Sequence, residues 1–165
     1  MTIPNSPTLQ TRAWNVVDQV IPAPHLIGAA DLPRVAVSKD ATGFVAGGAA
    51  FRPWGFNYDH DPSGRLLEDY WAAEWDRVER DFAAMKTLGA NVVRVHLQVG
   101  RFLSSPDTTD AANLARLGKL LDLAEREGLY LNLTGLGCYH KADVPAWYDR
   151  LDEPARWAAQ ARFWT

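Results

Sequence analysis

The sequence predicts an α/β fold: the first three βα units of a parallel (β/α)8 barrel, preceded by a small β-hairpin. Two kinds of observation carry that expectation. Val92-Val-Arg-Val-His-Leu-Gln98 and Leu129-Tyr-Leu-Asn-Leu-Thr-Gly135 are strand-like runs, each entered from a helix that closes on glycine. A third run, Phe51 to Asp59, stands before the first of those helices. The strand starts, near Trp54, Asn91 and Leu129, are spaced by roughly 37 and 38 residues, about one βα unit of a barrel that uses about 250 residues for eight.

Composition allows such a fold and narrows its partners. With 165 residues and 47% hydrophobic content, the chain can bury a core the size of one ordinary domain. A net charge of −3 supplies no basic footprint, which argues against nucleic acid. No apolar run reaches the roughly eighteen residues that a membrane span requires. Cys138 is the lone cysteine, so an internal disulfide is excluded and a reducing compartment fits. Met1 to Gln10 lacks the basic and then apolar order of a secretory signal, and a cytoplasmic location is the expectation.

Taken in order, residues 1–31 read as a tail and irregular segment, because Pro22, Pro24 and Pro33 interrupt any regular element there. Residues 32–165 form the barrel part. Arg34–Ser38 and Gly43–Val45 predict a hairpin turning at Asp40. Gly47-Gly48 then releases the chain into the first main strand, with Trp54, Phe56 and Tyr58 on one face and Gly55, Asn57 and Asp59 on the other. Asp59 to Gly64 is a polar loop. In the next helix Trp75, Val78, Phe82, Met85 and Leu88 form an apolar stripe closed by Gly89.

In the second strand Val93, Val95 and Leu97 share one face, and Val92, Arg94 and His96 the other. A loop from Gly100 to Asp110 leads to a helix with the stripe Leu114, Leu117, Leu121 and Ala124, closed by Gly128. The third strand turns Leu129, Leu131 and Leu133 one way and Tyr130, Asn132 and Thr134 the other. An aromatic loop, Leu136 to Arg150, precedes a last helix begun near Pro154, in which Trp157 and Trp164 are read with Trp75 as core. Trp71 fits none of these patterns. The last helix shows no stop signal before Thr165, so a truncated domain is expected; the rival is a complete three-stranded α/β sandwich that dimerises through its edge.

Chemistry belongs on the polar face. Buried parallel strands are usually apolar throughout, whereas here Asn57, Arg94, His96, Asn132 and Thr134 converge towards one end, where parallel folds place their ligands. A binding site explains the set; a hydrogen-bonded interior without a ligand is the bland alternative.

Phe44-Val-Ala-Gly-Gly-Ala-Ala-Phe-Arg-Pro-Trp-Gly-Phe-Asn57, the helix end Met85-Lys-Thr-Leu-Gly-Ala-Asn91 and Val92-Val-Arg-Val95 resemble the opening of a cellulase-like glycoside hydrolase, family 5 or a neighbour in the same TIM-barrel clan. The specific positions are Gly55, Asn57, the Leu-Gly-Ala-Asn turn and Arg94. The resemblance implies a carbohydrate substrate, no cofactor, and a supporting role for Arg94 beside a nucleophilic glutamate. It places the catalytic pair at the ends of the fourth and seventh strands, beyond Thr165, so no catalytic residue is expected within this chain and the 165 residues alone are expected to be inactive. Retaining hydrolysis needs two carboxyl groups about 5 to 5.5 Å apart, one acid/base and one ionised nucleophile, and an arginine beside the latter holds it ionised. The bland reading of Arg94 is a structural ion pair.

Asn57, His96, Asn132, Tyr139, His140 and Trp147 are the candidate substrate contacts, the aromatic rings by stacking on sugar faces. Here the sequence departs from the family: a histidine often ends the third strand, whereas His140 is displaced into the loop after Thr134-Gly-Leu-Gly-Cys-Tyr. Asp59-His-Asp61 lacks partners for a metal site, and none is expected. Two further readings remain: a metal-dependent or other barrel hydrolase using Asp59, His96 and His140, and a non-catalytic carbohydrate-binding fragment.

Overall fold

The computed structural model describes residues 32–165; the expected tail, residues 1–31, lies outside them. The predicted hairpin is present as β1 (Val35–Val37) and β2 (Phe44–Ala46), antiparallel, with Val35 opposite Ala46. Its turn is fixed by the Asp40 carboxylate, which accepts from Ser38 Oγ at 2.6 Å and from Thr42 N at 3.2 Å. The run Phe51–Asp59, predicted as one strand, gives up Phe51 to the hairpin sheet. Ala49–Phe51 forms β3, pairing antiparallel with β2 across Gly47-Gly48, both of which take positive φ.

The main sheet is parallel, in the order β4 (Gly55–Asn57), β5 (Val92–Gln98), β8 (Tyr130–Gly137). Its first strand is shorter than the Phe51–Asp59 run suggested, because Arg52-Pro-Trp lies outside the ladder. Asn91 joins the sheet at its base: Oδ1 accepts from Trp54 N at 2.8 Å, Nδ2 donates to Arg52 O at 2.8 Å, and its carbonyl accepts from Tyr130 N at 2.9 Å. One side chain thus satisfies a backbone that has left the ladder. Gly55 is demanded by closeness, since a Cβ there would lie 1.6 Å from the Val92 carbonyl oxygen.

Helices cover one face. A helical turn, α1 (Leu67–Tyr70), buries Leu67 and Tyr70, and Trp71, which the periodicities left unplaced, is a core residue edge-on to Phe102 at 6.0 Å. Helix α2 (Trp75–Thr87) packs Val78, Phe82 and Met85 inward with Trp75 half-buried, whereas Leu88, read as part of the stripe, is exposed because it is already the C-cap. Gly89 follows at φ +90°, the left-handed stop that the sequence signalled.

The expected loop after β5 contains a short helix, α3 (Val99–Phe102), and a two-stranded ribbon, β6 (Leu103–Ser105) with β7 (Thr108–Thr109). Val99, Phe102 and Leu103 are buried, so this segment is core as well as connection. Helix α4 (Ala111–Arg126) is capped by the Asp110 carboxylate on Asn113 N. Its buried stripe is Leu117, Leu120, Leu123 and Ala124; Leu114 and Leu121 face outward, a rotation of the expected stripe that periodicity alone left open in so leucine-rich a helix.

After β8 come a 3-10 turn (Lys141–Asp143), α5 (Ala146–Asp149) and α6 (Glu153–Trp164), the last capped by Asp152 with Pro154 in its first turn. Trp157 and Trp164, read as core, are exposed; α6 buries Ala159 and leans Phe163 on Phe102 instead. Gln160 meets β8 from the side, accepting from Leu136 N at 2.9 Å and donating to Leu136 O at 2.6 Å, as a neighbouring strand would. Among the described residues, no helix is long and apolar enough to cross a membrane.

Candidate active site

The parallel ladder sets the site's geometry. Asn57 is the register partner of Arg94, Arg94 of Asn132, and His96 of Thr134, which places these residues side by side on the face away from the helices. The opposite residues of β5, Val93, Val95 and Leu97, are fully buried in one core with Val78 and Phe82 of α2 and Leu120 of α4. Arg94 Nη1 reaches Asn57 Oδ1 at 3.4 Å, a weak contact that turns the guanidinium along the row without neutralising it.

His96 is held more firmly. Its Nδ1 lies 2.9 Å from Thr134 Oγ1, whose hydroxyl also reaches the Val95 carbonyl at 3.3 Å, and its Nε2 leans on Gly137, where a Cβ would approach to 2.4 Å. Partial burial and then the charge of Arg94 lower its pKa, so the ring is neutral at physiological pH.

Above the ladder, the turns that follow β4 and β8 meet. The rings of His60 and Tyr139 are 5.7 Å apart, and Tyr139 is edge-on to His140 at 4.8 Å. Each histidine is oriented by a carboxylate: His60 Nδ1 by Asp59 at 2.8 Å, His140 Nδ1 by Asp143 at 2.8 Å. Tyr139 is 45% exposed, leaving ring surface free for a flat ligand. Trp147 stands apart in α5, half-buried against the core and edge-on to Tyr148 at 5.5 Å.

Asp61, the other acid of Asp59-His-Asp61, is 5% exposed and belongs to the scaffold. It accepts from Ser63 N, Arg65 N and the guanidinium groups of Arg65 and Arg77. Burial pushes its carboxyl up, but these donors outweigh that and hold it down at about 2. Among the described residues, no three His, Cys, Asp or Glu side chains are grouped to hold a metal ion.

Three participants escaped the sequence reading. His60, weighed in the sequence only as part of a metal motif, meets Tyr139. Glu68 and Gln98 lie buried behind it, Glu68 Oε1 accepting from Gln98 N at 3.0 Å and Gln98 Oε1 from Tyr139 N at 2.8 Å. The available signal was polar residues enclosed by apolar ones, in Leu66-Leu-Glu-Asp-Tyr70 and Leu97-Gln-Val99.

No family model and no curated protein matches the chain. Solved structures do. The exo-β-1,4-mannosidase Op5Man5 from an Opitutaceae bacterium is 26% identical, with a TM-score of 0.57, over 70% of this chain and 21% of that one. A GH5_18 protein from Bifidobacterium longum subsp. longum, in complex with Manβ1-4GlcNAc, is 16% identical, with a TM-score of 0.54, over 66% of this chain and 28% of that one. The chain therefore spans less than a third of the length of these structures. In fold, the chain resembles a fragment of a family 5 glycoside hydrolase.

Proposed function

We propose that the chain supplies the first three βα units of a retaining glycoside hydrolase barrel acting on β-linked oligosaccharide or polysaccharide, with β-1,4-linked mannosides as the first substrates to test. The observation that carries this reading is the row Asn57, Arg94, Asn132, register partners on one polar face of a parallel sheet. Support for mannosides comes from the mannosidase and the Manβ1-4GlcNAc complex among the similar structures.

Arg94 then has a defined task. Its guanidinium, turned by Asn57, stabilises the ionised form of a neighbouring nucleophilic carboxylate. Neutral His96, fixed by Thr134, donates or accepts a hydrogen bond to a sugar hydroxyl without adding charge. Asn132 offers both a donor and an acceptor, and Tyr139 and His140 border the opening through which a sugar ring enters. In this reading the two glutamates that carry out hydrolysis lie at the ends of the fourth and seventh strands, outside residues 1–165, so turnover belongs to the whole protein.

Hydrolysis of β-1,4-mannobiose by the whole protein, followed by NMR at the anomeric proton, tests the reading. The expected first product has retained configuration, and Arg94→Lys lowers turnover while leaving the unfolding midpoint near that of the wild type, since lysine lacks the planar fork. Inverted product would sink the retaining mechanism. Unchanged turnover in Arg94→Lys would remove Arg94 from it.

A further inference from the structure

Behind the mouth, Glu68 and Gln98 form a buried connection that the sugar chemistry above does not use. Gln98 is 2% exposed and makes three bonds: its N–H donates to Glu68 Oε1 at 3.0 Å, its Oε1 accepts from Tyr139 N at 2.8 Å, and its Nε2 reaches the His96 carbonyl at 3.4 Å. It thereby ties the end of β5 to the turn after β8, at the point where the β5–β8 register shifts between Leu97 and Gln98. Without that tie, Tyr139 N has lost its seat.

Glu68 holds Gln98 from behind, and it is an unusual anchor. It is 7% exposed, and its second oxygen, Oε2, is buried without a hydrogen-bond partner among the described residues. From β5 it faces uncharged Gln98; from α3 the Arg101 guanidinium; from its own turn Asp69, which pairs with Arg101. Arg101 is thus already engaged. A neutral carboxyl can keep its bond to Gln98 through Oε1 and carry the proton on Oε2, whereas an anion leaves charge on a buried oxygen with no donor. Burial outweighs the Gln98 N–H bond and the Arg101 charge, both of which favour the anion, and pushes the Glu68 pKa up to about 7.

We propose that Glu68 is a positioning residue that, through Gln98, seats the turn Cys138–His140 over the end of β5 and releases it on losing its proton. Ionisation puts unpartnered charge on a buried oxygen, the carboxylate moves out towards water, Gln98 N loses its acceptor, and Tyr139 with His140 is freed to move. The bearing of this on sugar binding rests on the function proposed above; the seating of the turn does not.

Amide hydrogen exchange on the 165-residue chain, without sugar and corrected for intrinsic rates, tests the seating alone. Between pH 5.5 and 8.5 the protection of Tyr139 N–H is expected to fall roughly tenfold or more, while that of Val95 in the middle of β5 changes little. In Glu68→Gln, a neutral isostere, Tyr139 protection is expected to be independent of pH. In Gln98→Met it is expected to be low throughout, with Val95 still protected. A pH course in Glu68→Gln that matches the wild type would overturn the proposal, as would full protection of Tyr139 in Gln98→Met. Equal loss of protection at Val95 and Tyr139 in these variants would also overturn it, by assigning the pair to global stability.

Discussion

Alternate residues of one strand have opposite fates in β5. Val93, Val95 and Leu97 are fully buried beneath helices, while Arg94 and His96, one position away each time, stay half-open on the far face. The first face gains stability from apolar area removed from water. The second makes weak or single polar contacts, Arg94 to Asn57 and His96 to Thr134, and contributes little to holding the chain together. A strand with period two can therefore anchor a fold and present chemistry at once, provided its register is fixed from outside. Asn91 and Gly55 supply that fixing at the base.

The comparison breaks if the two faces prove energetically alike. Phe82→Ala, on the helix that covers the apolar face, is expected to cost about 3–5 kcal/mol in urea unfolding, because Phe82 is fully buried and edge-on to Tyr58 at 5.6 Å. A cost below about 1 kcal/mol would show that this layer is loosely packed.

Next in size is the pH dependence from Glu68. Its proton is held to about pH 7 in the folded chain against 4.5 for an ordinary glutamate. The stabilisation is thus complete below about 4.5 and is lost as pH rises towards 7, amounting to at most about 3 kcal/mol. In denaturant titrations across that window, Glu68→Gln should flatten this component; an unchanged slope would place the titrating group elsewhere.

Smaller still, Arg94→Ala is expected to change stability by less than about 1 kcal/mol, since among the described residues its side chain makes only the weak contact with Asn57. A cost equal to that of Phe82→Ala in the same urea experiment would make Arg94 a structural residue. The least effect is expected at Trp157, 67% exposed on α6 with its Nε1 donating to Glu153 at 3.2 Å. Trp157→Ala should stay within about 0.5 kcal/mol, and a larger loss of thermal stability would restore the core role that its helical spacing suggested.

Legibility in the sequence followed the regularity of the element. β5 could be read residue by residue because alternation fixes which side chain faces which way. The glycine stops at Gly89 and Gly128 were legible because the left-handed backbone there excludes most other residues, and both have positive φ. In α4 the period and two members of the stripe, Leu117 and Ala124, are as expected, but five leucines between 114 and 123 allow more than one stripe, and the partner surface chose Leu120 and Leu123 over Leu114 and Leu121. The segment from Gly100 to Asp110 reads as loop in the sequence because two short strands and one helical turn are too brief to show a period.

The site divides in the same manner. Asn57, Arg94, His96, Asn132 and Thr134 were identifiable as one polar face, and Tyr139 and His140 as residues of the turn beyond it, because strand periodicity and chain order are local properties. Sequence by itself determined the order of strands and helices, the two faces of each strand and the glycine stops, all set within a few residues of backbone sterics. Only tertiary structure decided that His60 meets Tyr139, that Trp71 is buried while Trp157 is not, and that Glu68 reaches Gln98. Those contacts join residues about 30 to 80 positions apart, and which side chain loses its water depends on the neighbour that arrives, which no local pattern specifies.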